Sequence, residues 1–152
     1  MSRKFSIPKI KRNTAQILLT LGTTAGLAAV NYTIIHNPIV FVFVMSLFVH
    51  EFGHYFVARK RGANPDLPYF IPLFPFNIGI TRIKNLLPKD IPAVSMAGPM
   101  FASLFLLFFI MVNSIYKMFS FIPLFVMLAL EIIFNYFGSD GKKYRKYNSQ
   151  FA

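Results

Sequence analysis

The sequence predicts an all-α polytopic membrane protein with about four transmembrane helices and a proline-rich re-entrant or short β segment after the second. Three observations carry that expectation. The chain of 152 residues is 55% hydrophobic and only 14% charged, a balance that fits one membrane domain rather than a soluble globule. Four apolar segments, at about 14–35, 38–58, 92–116 and 119–137, each approach the roughly 20 residues needed to cross a hydrocarbon core. Between the second and third, residues 63–91 hold Pro65, Pro68, Pro72, Pro75 and Pro88, which forbid a continuous helix.

The first segment is the most polar, with Gln16, Thr20, Thr23, Thr24 and Asn31. Arg3, Lys4, Lys9, Lys11 and Arg12 precede it, as basic residues precede a signal peptide. Its length and the lack of a small-residue cleavage site favour a retained span, with residues 1–13 as a basic cytoplasmic N-terminus. Pro38 suits the first helical position of the second span. The third carries Ser95, Ala97, Gly98, Ala102 and Ser103, a close-approach surface that plain helix association explains equally well. The fourth holds Glu131, the only acid within it, and leads to Asp140 and a basic tail over 142–152. Residues 14–141 would form a single transmembrane domain.

Orientation follows from the basic residues. Fifteen of the 16 fall in the two termini and the segments on their side of the membrane, and only Lys117 lies between the third and fourth spans. Both termini are therefore expected in the cytoplasm. The net charge of +11 is accounted for by attraction to anionic lipid, without nucleic acid as a partner. Cysteine is absent, which excludes disulfides and leaves histidine and carboxylate as zinc ligands. The expectation is a multi-pass protein of the cell membrane, bacterial by analogy with its small size. The oligomeric state has no sequence signature.

The second span ends in His50-Glu51-Phe52-Gly53-His54 after an uncharged run from Ile39 to Val49. Residues four apart share a helix face, so both imidazoles can meet one ion, and Glu51 can act as general base toward water. Ionisable groups inside lipid are costly and point to function. At about 1.5 Å per residue, His54 lies about 24 Å along a crossing of about 30 Å, near the cytoplasmic face. Zinc with two histidines needs a third protein ligand. Of the five acids, Glu51, Asp66, Asp90, Glu131 and Asp140, Asp140 emerges at the depth of His54, and Gly141 permits a sharp turn there. Glu131, nearer mid-bilayer, stays open as an alternative ligand, a proton relay, or a partner for Asn113 or Asn135. Asp66 and Asp90 are expected to cap turns, and His36 to be solvated at the outer face.

These residues resemble the site-2 protease family of intramembrane zinc metalloproteases over about Phe43 to Gly141. His50-Glu51-Phe52-Gly53-His54 looks like that family's metal-binding motif. Pro68 to Phe74 and Ile80 to Lys84 are similar to its membrane-associated segment. Ala97-Gly98-Pro99 resembles the opening of its next core helix, and Ser139-Asp140-Gly141 its Asp-Gly motif. The resemblance implies Zn²⁺ on His50, His54 and Asp140, Glu51 as catalytic base, Asn135 as a polar transition-state contact, and hydrolysis of transmembrane or membrane-proximal peptide segments. With eleven residues after Gly141, it implies a small, minimal member. Relatives commonly place prolines before Asp-Gly, where this chain has Asn135-Tyr136-Phe137-Gly138-Ser139.

Residues 63–91 are apolar for a cytoplasmic connection, with Tyr69, Phe70, Ile71, Leu73, Phe74, Phe76, Ile78 and Ile80. They suit either an interfacial loop or a re-entrant segment that shields the metal and pairs an extended substrate by strand addition. The resemblance favours the second. Two other function classes remain: a catalytically degenerate membrane binding or immunity-type protein, and a metal or proton carrier using His50, Glu51, His54 and Glu131.

Overall fold

Among the described residues, five α-helices make up the frame: α1 (Lys9–Ile35), α2 (Ile39–Lys60), α3 (Ile91–Tyr116), α4 (Phe121–Phe137) and α5 (Ser139–Phe151). The computed structural model describes residues 9–72 and 77–151. Three helices are long and apolar enough to cross a membrane, over Asn13–Ile35, Ile39–Lys60 and Pro88–Tyr116, while α4 is apolar but shorter at 17 residues. Large apolar side chains such as Leu18, Phe41, Leu104, Phe108 and Ile122 point outward, a surface that a soluble domain rarely shows and that lipid would cover.

Helices α2 and α3 pack chiefly on each other, and α3 also contacts α4 and α5. The crossing of α2 and α3 is close because small residues meet there: a Cβ on Gly53 would stand 2.7 Å from the carbonyl oxygen of Ala97, and Ala97 and Gly98 are buried. Small-residue surfaces allow this approach between helices in lipid. On the far side, Val42 packs with Leu106 and Leu124, and at the opposite end Ala58 packs with Ala63 and Val94.

The proline-rich segment forms two short antiparallel pairs. Strand β1 (Asn64–Pro65) pairs with β4 (Ile83–Lys84), and β2 (Tyr69–Ile71) pairs with β3 (Ile78–Ile80) in the register Tyr69 to Ile80, Phe70 to Gly79 and Ile71 to Ile78. Phe70 is buried against Leu27, Val40 and Val44. The polar residues that weaken α1 as a lipid-facing helix explain how this hairpin is held. The Thr20 hydroxyl donates to the carbonyl of Pro68 at 2.5 Å, and the Phe70 N–H donates to Thr23 Oγ1 at 3.1 Å. Asn31 and Asn77 exchange amide hydrogen bonds at 2.9 and 3.3 Å, and Gln16 donates to Asp66 at 2.9 Å. Residues 16, 20, 23 and 31 lie along one stripe of the helix.

Several local expectations are corrected. Asp90 stands at the N-cap of α3 but makes no side-chain cap hydrogen bond: it is buried and pairs with Arg61 at 3.1 Å, while Asp66 is bridged by Gln16 and Lys84. The helix break before Asp140 falls at Gly138, and Gly141 lies inside α5 without a left-handed φ. The basic tail is helical from Ser139 to Phe151. Asn113 is occupied in the turn to α4, donating to the Phe119 carbonyl at 3.0 Å and accepting from the Phe119 N–H at 2.8 Å. His36 is exposed. The side chains of Glu131 and Asn135 lie outside the described residues.

Candidate metal centre

His50, Glu51 and His54 lie on α2 one turn apart and are all buried, at 8, 7 and 8% exposure. Asp140, in the first turn of α5, reaches the same point because α5 packs on α3 beside α2. Its Oδ2 stands 3.3 Å from His50 Nε2 and 3.2 Å from His54 Nε2, and the two Nε2 atoms are 3.2 Å apart. His54 Nδ1 is 2.7 Å from the carbonyl oxygen of Val94. Only an N–H on Nδ1 makes that contact favourable, which leaves Nε2 as an acceptor. An imidazole lone pair and a carboxylate oxygen thus face each other, and such a set calls for a cation.

The dimensions suit zinc. Donors about 2.0–2.1 Å from a tetrahedral zinc stand about 3.3 Å from one another, matching the separations of 3.2 and 3.3 Å here. The Val94 carbonyl is the kind of outer partner that fixes a ligating histidine's tautomer and ring plane. The space is kept open by Gly98, whose added Cβ would overlap His54 Nε2 and stand 2.7 Å from His50 Nε2. Burial alone would raise the Asp140 carboxyl; without an ion, protonated His50 and His54 would donate to it, and those hydrogen bonds with their charge outweigh burial and hold the group well below the usual carboxylate range.

Glu51 stands beside the three candidate ligands rather than among them. The Thr81 hydroxyl donates to Glu51 Oε2 at 2.6 Å and lies 3.2 Å from the Glu51 carbonyl oxygen. Gly79 of β3 passes so close that an added Cβ would sit 2.6 Å from Glu51 Oε1. Glu51, His54, Asp140, Gly79, Ile80 and Thr81 line one cavity of about 470 Å³. The arrangement can therefore hold a divalent cation, a carboxylate base and an extended strand edge side by side.

Against this geometry, one known protein bears directly. Over 67 residues the chain is 39% identical to the probable zinc metalloprotease EGY2, chloroplastic, of Arabidopsis thaliana. Part of this chain is similar to a probable zinc metalloprotease. That match takes in 41% of this chain and 12% of the plant protein, so the chain spans about an eighth of that relative's length. No protein-family model matches the chain, and no solved structure does.

The residues expected from sequence and brought together are His50, His54 and Asp140, with Glu51 alongside. Sequence reasoning left three contributors without a role in the site, Thr81, Gly79 and the Val94 carbonyl, and saw Gly98 only as part of a close-approach surface. Thr81 carried a signal, as a hydroxyl in an apolar loop. A main-chain carbonyl carries none.

Proposed function

We propose that this chain is an intramembrane zinc metalloprotease of the site-2 protease kind, hydrolysing peptide bonds in transmembrane or membrane-proximal segments near the cytoplasmic face. The observation that carries the reading is the convergence of His50, His54 and Asp140 at zinc-ligand spacing beside the carboxylate of Glu51. His50, His54 and Asp140 would hold the ion. When bound, zinc supplies a Lewis acid that polarises a carbonyl and acidifies water. Glu51 takes the proton of the attacking water and returns it to the leaving amine. Thr81 orients the carboxylate through its hydrogen bond to Oε2. Thereby Oε1, on the side of β3, is left to face the reacting groups.

A peptide bond inside a helix is shielded, so a substrate must be extended before water attacks. Strand β3 pairs with β2 on one side, and its residues Gly79 and Ile80 line the cavity. An unwound substrate added to that edge would be held open next to Glu51. In this reading α4 is a fourth span, residues 1–13 and 142–152 face the cytoplasm, and the protein is a multi-pass component of the cell membrane. Asn135 is a candidate transition-state contact.

The test is metal analysis combined with cleavage of a reporter transmembrane peptide, wild type beside Glu51→Gln. Zinc near one per chain in both proteins, with cutting by wild type alone, is the expected result. Zinc without cutting by wild type would favour a binding-type protein, and ion flux in proteoliposomes without cutting would favour a carrier.

A further inference from the structure

Helix α5 contributes more than Asp140 to the cavity. Lys143 and Tyr147 also line it, and the hydrolytic roles assigned to Glu51, His50, His54 and Asp140 leave both unused. At about 3.6 residues per turn they share a face with Asp140, three and seven positions further on. Lys143 is the only lysine or arginine lining the cavity, and it makes no hydrogen bond or ion pair among the described residues. The Tyr147 hydroxyl likewise has no hydrogen-bond partner there; its ring is met by Lys146 at 5.3 Å.

The remaining cations of α5 do not share this position. Lys142, Arg145 and Lys146 fall on the opposite arc of the helix from Asp140, where attraction to anionic lipid gives them a sufficient role. Lys143 is set apart as a residue lining the cavity that Glu51, His54 and Asp140 also line, where it is exposed and accessible to a ligand. Charge bookkeeping in the cavity gives the sign of its ligand. A divalent cation on neutral imidazoles is balanced by the carboxylates of Asp140 and Glu51, so Lys143 leaves the site with a surplus positive charge. The lining also includes the apolar Ile80, Ile83, Leu86 and Ile91, against which the uncharged part of a peptide could lie.

We propose that Lys143, assisted by the Tyr147 hydroxyl, binds a carboxylate of the peptide held in the cavity, so that the site selects substrates with an acidic group near the scissile bond. This deepens the protease reading and rests on it for the word substrate, but the anion site itself is defined by Lys143 and Tyr147. An acidic side chain and a free peptide C-terminus offer the same chemistry.

The experiment measures binding separately from cleavage. Amidated transmembrane peptides with Glu or Lys at one cytoplasm-proximal position, and an uncharged peptide with a free or amidated C-terminus, are titrated onto zinc-loaded Glu51→Gln protein in phosphatidylcholine nanodiscs. The Glu peptide should bind about tenfold more tightly than the Lys peptide. Adding Lys143→Gln should remove the preference, Lys143→Glu should invert it, and Tyr147→Phe should reduce it. An inverted preference cannot come from a misfolded protein. If the free C-terminus, rather than the Glu side chain, confers the gain and Lys143→Gln abolishes it, the carboxylate is the terminal one. Equal ratios across all three residues at position 143, or a preference seen only after phosphatidylglycerol is added, overturn the proposal. Cleavage of the same peptides by wild type reports on hydrolysis by itself: a retained charge preference with no cutting sinks the protease reading and leaves the carboxylate site standing.

Discussion

Gly98 of α3 lies against His54 of α2 so closely that the space of one methyl group is also the space of the ring nitrogen facing Asp140. The ring cannot retreat freely, because its other nitrogen is held by the Val94 carbonyl at 2.7 Å. Gly98→Ala should therefore push the His54 ring off its bearing while leaving the helices intact, since alanine favours the helix. Zinc affinity should fall roughly 10- to 100-fold, the range seen when the support of a ligand is disturbed. Competition against a chelator measures it, with circular dichroism as the control on fold. Unchanged affinity would mean that His54 is not a ligand.

The third ligand can be separated from its rival. Asp140 offers its Oδ2 to both histidines at 3.3 and 3.2 Å, whereas Glu131 belongs to α4. Asp140→Asn removes the charge and should weaken zinc retention by more than about 100-fold. Glu131→Gln should leave zinc stoichiometry near that of wild type. The reverse pattern would move the ligand to Glu131.

Glu51 and Thr81 divide the acid–base work differently. Glu51→Gln keeps the shape of the side chain and should lower the cleavage rate by roughly 10²- to 10⁴-fold at unchanged zinc content. Thr81→Val removes the hydrogen bond of 2.6 Å to Oε2 without touching the metal ligands. If Thr81 acts through Glu51, its loss should lower kcat more than KM and shift the pH–rate profile. Thr81→Ser should restore both.

How much of this was legible in the sequence follows from where each signal resides. The long helices were readable because uncharged runs of about 20 residues have few other uses. The two histidines and Glu51 were readable because their spacing is itself helical. Asp140 was reached through orientation, which depends on the distribution of lysine and arginine, and through the likeness of Ser139-Asp140-Gly141 to an Asp-Gly motif. Helix α5 was not legible as part of the membrane frame: between Ser139 and Phe151 only Tyr144, Tyr147 and Phe151 are aromatic or apolar among charged and polar residues, too few for a span, although the helix packs on α3 and α4. The polar residues of α1 were visible, but as a weakness of a span. Their meaning depends on Pro68, Phe70 and Asn77, more than forty positions away, and pairings at that distance leave no periodic trace.

The last prediction concerns that docking of the hairpin. Asn31 is almost fully buried, at 1% exposure, and trades two amide hydrogen bonds with Asn77 beside β3. If this pair holds β3 over Glu51, removing one partner should cost more than removing both. Asn31→Leu strands the Asn77 amide, and an unsatisfied buried polar group costs about 1–3 kcal/mol. Hydrogen exchange across Ile78–Ile80 should then speed up by roughly 5- to 100-fold, with cleavage reduced and zinc content kept. Asn31→Leu/Asn77→Leu replaces the pair by apolar contact in an apolar setting. Exchange in the double variant should return toward the wild-type rate, because no polar group is left without a partner. Additive losses in the double variant would show that the two amides act independently and that the hairpin is held by Thr20, Thr23 and the packing of Phe70 instead.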